Sequence, residues 1–144
     1  MKRTIKILCL VLVASAGGTL ASAQQPEEGC SNSSLSGAYA FQINGSIPGT
    51  LAIAGIARVV FDGQGNFTQT GSSQINVVGH PPVVSLDQVG TGTYTVNPDC
   101  TGTEILNVGG QIHTSRFVLA NHGRKVLDMN VDPGVVLTGV GEKQ

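Results

Sequence analysis

Apolar and polar residues alternate after residue 35 in short runs, and clusters of Gly, Pro, Asn and Asp interrupt these runs. A period of two predicts β-strands, and the turn clusters between them predict antiparallel hairpins. Gly accounts for 20 of the 144 residues, which disfavours helix. The pattern therefore predicts eight strands, at residues 37–44, 51–61, 66–78, 86–97, 100–108, 111–121, 124–131 and 135–141.

Short connections between these runs place sequence neighbours beside each other in the sheet. The simplest way for eight antiparallel strands to leave no exposed sheet edge is to close into an up-and-down barrel. We therefore predict an all-β protein with an eight-stranded antiparallel up-and-down barrel at residues 35–144, with a β-sandwich as the alternative fold. Such a barrel is filled by side chains or holds one small ligand, and the sequence leaves both outcomes open.

Alternation also predicts which side chains face the barrel interior. The interior set takes one parity in each run and is mainly apolar, with few aromatic residues. The predicted interior residues include Tyr39, Phe41, Ile43, Leu51, Ile53, Ala57, Val59, Phe61, Phe67, Phe117, Leu119, Leu127, Met129 and Val131.

The N-terminal segment has the features of a signal peptide. Lys2, Arg3 and Lys6 precede an apolar stretch at residues 7–14, and the small residues of 21–23 supply a cleavage site. The alternative is a membrane anchor, but the apolar stretch is shorter than the roughly 20 residues that span a bilayer. We predict a signal peptide at 1–23, a leader at 24–34 and export to the periplasm or the medium.

Charge and aromatic content exclude several partners. Cleavage after residue 23 would leave 5 basic against 9 acidic residues, and the basic ones are scattered singly. Nucleic-acid binding needs clustered basic side chains, so we expect no nucleic-acid partner. Membrane-inserted barrels carry aromatic girdles, whereas this chain has 2 Tyr, 4 Phe and no Trp. We therefore expect no membrane insertion, and the oligomeric state stays open.

Two cysteines, Cys30 and Cys100, remain after the predicted cleavage. Exported proteins meet oxidising conditions, which favours a disulfide between them. The alternative of a redox or metal pair lacks a CxxC motif and nearby histidines. We predict that the disulfide fastens the leader to the turn that follows Asn97.

Candidate chemistry is sparse. The segment 62–66 (DGQGN) superficially resembles a calcium loop, but it lacks alternating acidic ligands and is typical of a hairpin turn. His113 shares a strand face with Ser115, and Glu104 and Asp128 lie on the flanking strands. These residues form a candidate acid–base constellation if they meet inside the barrel. The alternative is a rim or surface histidine among ordinary charges, and we predict no catalytic residue, metal site or cofactor.

Three segments carry a resemblance to other proteins: 35–41 (LSGAYAF), 61–67 (FDGQGNF) and 92–103 (GTYTVNPDCTGT). Together they resemble a group of small secreted bacterial proteins of unassigned function. The chain looks most like a calycin-type barrel, similar in build to lipocalins and the allene oxide cyclase barrel. The resemblance implies the fold and supplies no site residues.

These observations favour non-catalytic binding of a small apolar ligand at the barrel mouth. Tyr39, Phe41, Tyr94 and Phe117 are the predicted ligand-binding residues, because aromatic side chains supply apolar area and phenols can orient a ligand. An enzyme of the cyclase or isomerase kind that uses His113 and Glu104 is one alternative. An envelope interaction or structural module is another.

Overall fold

The computed structural model describes residues 29–47, 49–134 and 136–144. The predicted signal peptide and most of the predicted leader lie outside the described residues. Within them, no helix is long and apolar enough to cross a membrane. A single 3₁₀ turn, Asn32–Ser34, precedes eight strands. The strands are β1 (Ser36–Ile47), β2 (Leu51–Asp62), β3 (Asn66–Val77), β4 (Val83–Val96), β5 (Thr101–Val108), β6 (Gln111–Ala120), β7 (Lys125–Asn130) and β8 (Val136–Lys143).

The strands form one closed antiparallel barrel in the order β1 to β8. Each strand pairs with the next one in the chain, and β1 pairs with β8 from Tyr39 opposite Lys143 to Ser46 opposite Val136. The predicted up-and-down barrel is confirmed over the sandwich. Closure removes free sheet edges, which short-linked strands would otherwise expose.

Strand β4 begins at Val83, three residues before the predicted run. Its pairing with β3 contains an irregularity. The register shifts between Gly71 and Ser73, opposite a stretch in which Asp87 has φ 50°. The Asp87 N–H donates to the Ser72 hydroxyl at 3.1 Å, so its backbone donor stays satisfied away from the regular ladder. A bulge of this kind bends the strand and increases the local twist of the barrel.

Interior glycines make room for rings on neighbouring strands. Gly102 lies opposite Phe117 in the register, and a Cβ on Gly102 would sit 2.1 Å from the Phe117 ring. Gly92 lies opposite Phe67 in the register, and a Cβ on Gly92 would sit 2.3 Å from the Phe67 ring. Alternation of small and large side chains lets a narrow barrel enclose aromatic residues without strain.

Residues 29–34, the described part of the leader, cover one end of the barrel, which we call the capped end. The Cys30–Cys100 disulfide is confirmed, with a Cα–Cα distance of 4.9 Å, and it fastens the leader to the β4–β5 turn. The Cys30 N–H also donates to the Pro98 carbonyl at 3.1 Å. Leu35 and Tyr39 are completely buried beneath this covering segment. The opposite end of the barrel carries the β1–β2, β3–β4, β5–β6 and β7–β8 turns.

The predicted interior face of the seventh strand is wrong. Leu127, Met129 and Val131 are 45%, 52% and 44% exposed, whereas Val126 is 1% exposed. Directly opposed residues of an antiparallel pair share a face, and Val126 lies opposite the interior Leu119. The interior set is therefore Val126, Asp128 and Asn130, which places a carboxyl and an amide inside the barrel. Leu127 instead continues an exposed apolar row of the outer surface, with Val118 and Val140 as its cross-strand neighbours.

Candidate functional site

The barrel encloses a cavity of about 110 Å³ between the aromatic core and the end opposite the cap. Its lining is apolar on β1, β2 and most of β3, and polar side chains enter mainly from β5, β6 and β7. The lining residues are Phe41, Ile43, Ala57, Val59, Phe61, Phe67, Gln69, Glu104, Leu106, His113, Ser115, Asp128, Asn130 and Leu137.

A carboxyl pair, Glu104 and Asp128, occupies the polar wall. The two residues lie on β5 and β7, on either side of β6, and their side chains share a hydrogen bond. Asp128 lies opposite Gly139 of β8, where a Cβ would sit 2.5 Å from its Oδ1. The glycine therefore leaves the space that this carboxyl occupies, and the Gly139 N–H hydrogen-bonds to it.

The interior raises the pKa of both acids. Loss of hydration, the neighbouring charge of Asp128 and their shared hydrogen bond together raise the pKa of Glu104 to about 8, and loss of hydration contributes most. Loss of hydration also raises the pKa of Asp128, although the hydrogen bonds from Glu104 and Gly139 act in the opposite direction. Glu104 therefore holds its proton at neutral pH and donates it in a hydrogen bond to Asp128, and this bond favours the ionised form of Asp128.

A second polar group lies beside the cavity on the β7–β8 connection. Asp132 accepts hydrogen bonds from the Asn130 side chain at 3.0 Å and from the Thr114 N–H at 3.2 Å. Its Oδ2 is 3.5 Å from Nδ1 of His113. The Asn130 side chain, the Thr114 N–H and His113 together lower the pKa of Asp132. This network orients His113 and Asn130 on the cavity wall.

The structure brings the predicted acid–base constellation together in part. Glu104, Asp128, His113 and Ser115 all line the cavity, and the two carboxyls meet. His113 is paired with Asp132, a residue that the sequence reasoning had not singled out. The constellation therefore consists of a carboxyl pair and a neighbouring histidine–aspartate pair.

The four predicted ligand-binding residues take different places. Phe41 lines the cavity, whereas Tyr39, Tyr94 and Phe117 are not among the lining residues. The Tyr39 hydroxyl donates to the Gly123 carbonyl, and the Tyr94 hydroxyl donates to the Leu35 carbonyl at 2.7 Å. Burial raises the pKa of both phenols, so they stay protonated donors. A ligand-binding role for the four residues stays a prediction.

The glycine-rich segment 62–66 is a hairpin turn between β2 and β3. One oxygen of Asp62 accepts hydrogen bonds from the N–H groups of Gln64, Gly65 and Asn66 at 2.7, 3.0 and 2.9 Å. Bonds from the side chain and backbone of Asn66, followed by the Gln64 N–H, lower the pKa of Asp62 to about 2. The carboxylate thus organises the turn.

Sequence reasoning missed Gln69, Asn130 and Leu137 as functional candidates, although all three line the cavity. Gln69 lies two residues after Phe67, so alternation places both on one strand face, which indicates the position of Gln69 but no role. Asn130 was missed because the apolar parity of the seventh run pointed the other way. The pairing of Leu119 with Val126 would have located it.

No protein-family model, curated protein or solved structure matches this chain. The fold and the site therefore define the protein by class. It is a closed, eight-stranded, up-and-down β-barrel with one disulfide-fastened end and a two-sided internal cavity.

Proposed function

We propose that this protein is an exported, calycin-like binding barrel that holds a small, mainly apolar molecule in its cavity. The observation that carries the proposal is the cavity of about 110 Å³, with the rings of Phe41, Phe61 and Phe67 in its wall. Ligand sites are typically concave, apolar and equipped with a few polar groups. The carboxyl pair of Glu104 and Asp128 supplies such groups here.

The cavity volume indicates the size of the ligand. A protein cavity of about 150 Å³ accepts benzene, so this smaller cavity sets about six non-hydrogen atoms as the upper size of the ligand. The disulfide supports export, because disulfides persist mainly in oxidising compartments. The resemblance to calycin-type barrels supports a binding role by analogy of fold.

Filling the cavity tests the proposal. Ala57 lines the cavity, whereas Ala54, on the same strand, is exposed on the outer face. We expect methylcyclopentane, followed by NMR chemical-shift changes, to bind the natural protein and to bind Ala57→Leu at least tenfold more weakly. Ala54→Leu adds the same volume to β2 and should leave binding unchanged.

Circular dichroism establishes that each variant is folded, and Leu106→Phe provides a second way of filling the cavity if Ala57→Leu does not fold. Equal binding by the natural protein and a folded, filled variant would place the ligand elsewhere. Absence of saturable binding by methylcyclopentane and by polar compounds of the same size would contradict the proposal.

One observation favours a second candidate, an isomerase-type enzyme. Glu104 and Asp128 offer a carboxylic acid and a carboxylate within one cavity. In this alternative, the Asp128 carboxylate removes a proton next to a substrate carbonyl, while Glu104 donates a hydrogen bond to the carbonyl oxygen. The resulting enolate then regains a proton from the protonated Asp128. Such a division of roles is a general feature of acid–base catalysis.

Deuterium exchange tests this candidate. Cyclopentanone has six non-hydrogen atoms, and enolisation in D₂O would replace the hydrogens next to its carbonyl with deuterium. We expect exchange to exceed the buffer rate in proportion to protein concentration, and to be lost in Glu104→Gln and Asp128→Asn. Tyr94→Phe, a change outside the cavity lining, is the control. Exchange at the buffer rate would contradict the isomerase candidate and would not affect the binding proposal.

A further inference from the structure

The cavity has two chemically different walls. Interior residues of β1, β2 and β3 contribute three Phe rings, aliphatic side chains and the Gln69 amide, whereas β5, β6 and β7 contribute Leu106 together with carboxyl, hydroxyl, imidazole and amide groups. In the register, Glu104, Ser115 and Asn130 lie directly opposite one another across β5, β6 and β7. A molecule in the cavity therefore has an apolar surface on one side and a row of polar groups on the other.

The carboxyl pair has no basic partner among the described residues. The contacts between basic and acidic side chains there join His113 to Asp132 and Lys125 to Glu142, and neither includes Glu104 or Asp128. The titratable groups that line the cavity are Glu104, Asp128 and His113. A buried charge without an opposite charge is unfavourable, and a cation in the cavity would relieve this cost.

Ser115 places a hydroxyl on the polar wall of the cavity. This residue is 8% exposed and lines the cavity between the two strands that carry the carboxyls. A serine hydroxyl both donates and accepts hydrogen bonds, so it can bond to a polar group of a molecule in the cavity.

The apolar wall also suits a cation. Phe41, Phe61 and Phe67 line the cavity across from the polar wall. The faces of aromatic rings carry partial negative charge and attract ammonium groups, while the rings also cover the hydrocarbon part of a ligand.

We infer that the ligand is a small organic amine, bound as its ammonium ion with nitrogen against Asp128, Glu104 and Ser115 and hydrocarbon against the phenylalanine wall. This inference rests on the proposed binding function and names the chemical class of the ligand. An ammonium group has three N–H donors, which match the two carboxyls and the serine hydroxyl. Charge-assisted hydrogen bonds of this kind are about twice as strong as neutral ones.

Three compounds of equal size separate this inference from the general binding proposal. Cyclopentylamine, cyclopentanol and methylcyclopentane have the same ring and differ in one substituent: ammonium, hydroxyl or methyl. At pH 7 the amine is protonated, as alkylamines are. We expect cyclopentylamine to bind at least tenfold more tightly than cyclopentanol, measured by calorimetry and NMR titration at constant ionic strength.

Carboxyl variants provide the matched comparison. Asp128→Asn removes the carboxylate that would pair with the ammonium group, whereas Glu142→Gln removes an exposed carboxylate on β8 that is not among the lining groups. We expect Asp128→Asn to lose the tenfold preference for the amine while it still binds methylcyclopentane. Glu142→Gln should keep the preference. Asp128→Glu, which restores the charge, should recover part of it.

The outcomes distinguish the two proposals. Equal binding of all three compounds would overturn the inference and leave the binding function standing. A preference for the amine that persists in Asp128→Asn would also overturn it, because the charge would then lie elsewhere. Binding of none of the three would contradict the proposed function itself.

Discussion

At the capped end of the barrel, polar side chains form hydrogen bonds with backbone groups, whereas in the cavity the polar side chains form hydrogen bonds mainly with one another. The hydroxyls of Tyr39 and Tyr94 donate to backbone carbonyls of the β6–β7 turn and the covering segment. Glu104 and Asp128 share a hydrogen bond in the barrel interior, where loss of hydration raises the pKa of both carboxyls.

This difference distinguishes polar groups that stabilise the fold of a small barrel from polar groups that interact with a bound molecule. Buried polar groups whose hydrogen bonds are all satisfied within the protein stabilise one fold, and this structural role accounts for their presence. Buried polar groups that leave charge or donors unmatched lower stability, so their presence indicates chemistry with a bound molecule. By this criterion, the candidate site lies at the carboxyl pair.

Removal of the disulfide is expected to give the largest effect and to act at the capped end. The double variant Cys30→Ala/Cys100→Ala should lose roughly 2–5 kcal/mol in its free energy of unfolding, because the cross-link closes a long loop. Urea denaturation measures this loss. At a temperature where the variant is still folded, the affinity for cyclopentylamine should be unchanged, and a large drop would show that the two ends depend on each other.

The pH dependence of stability tests the cavity side. The pKa of Glu104 is about 8 in the folded protein, against about 4.3 for an unperturbed Glu in the unfolded chain. Between these values the folded state binds more protons than the unfolded state, so stability falls as pH rises. The slope due to this group is at most about 1.4 kcal/mol per pH unit.

Glu104→Gln removes that group, so we expect the variant to be more stable than the natural protein near pH 8 and similar to it near pH 4. Urea denaturation at a series of pH values provides the measurement. Glu142→Gln, which changes an exposed carboxylate on β8, is the control and should keep the natural slope. A natural protein with constant stability between pH 5 and pH 8 would contradict the raised pKa.

Tyr94→Phe is expected to give the smallest effect. The substitution removes the donor to the Leu35 carbonyl and a longer bond of 3.1 Å to the Asn32 carbonyl. Loss of a buried hydrogen bond of this kind costs about 1–3 kcal/mol, and solvent access to the freed carbonyls favours the lower value. Thermal unfolding measures the loss, with Tyr39→Phe as the parallel change.

The same variant tests whether Tyr94 contacts the ligand, as the sequence suggested. If its role is confined to the cap, affinity for cyclopentylamine and methylcyclopentane should be unchanged. A tenfold loss of affinity in a folded Tyr94→Phe protein would place its phenol in the binding site.

The number of strands and their connection could be predicted because both depend on local signals. Turn segments such as 62–66 and the period-two alternation in β1 and β2 are encoded by adjacent residues. The disulfide followed from the only two cysteines after the predicted cleavage site. The start of β4 was missed because a bulge at Asp87 interrupts the alternation that defines a strand.

The candidate site was harder to predict because it depends on register between strands. In β7 the apolar residues Leu127 and Met129 face outward, and the polar Asp128 faces inward. The local pattern favours the opposite arrangement, and only the pairing of Val126 with Leu119 on β6 shows which face of β7 points inward. The meeting of Glu104 with Asp128 depends on two such pairings and is not visible in either strand alone.

The closure of β1 onto β8 has a consequence for synthesis. Tyr39 lies opposite Lys143, so the first strand finds its second partner only after residue 143 has been synthesised. Until then the sheet has two open edges, each with unpaired N–H and carbonyl groups that can add a strand from another chain. A chain that ends before β8 would therefore expose these edges permanently and would be prone to aggregate.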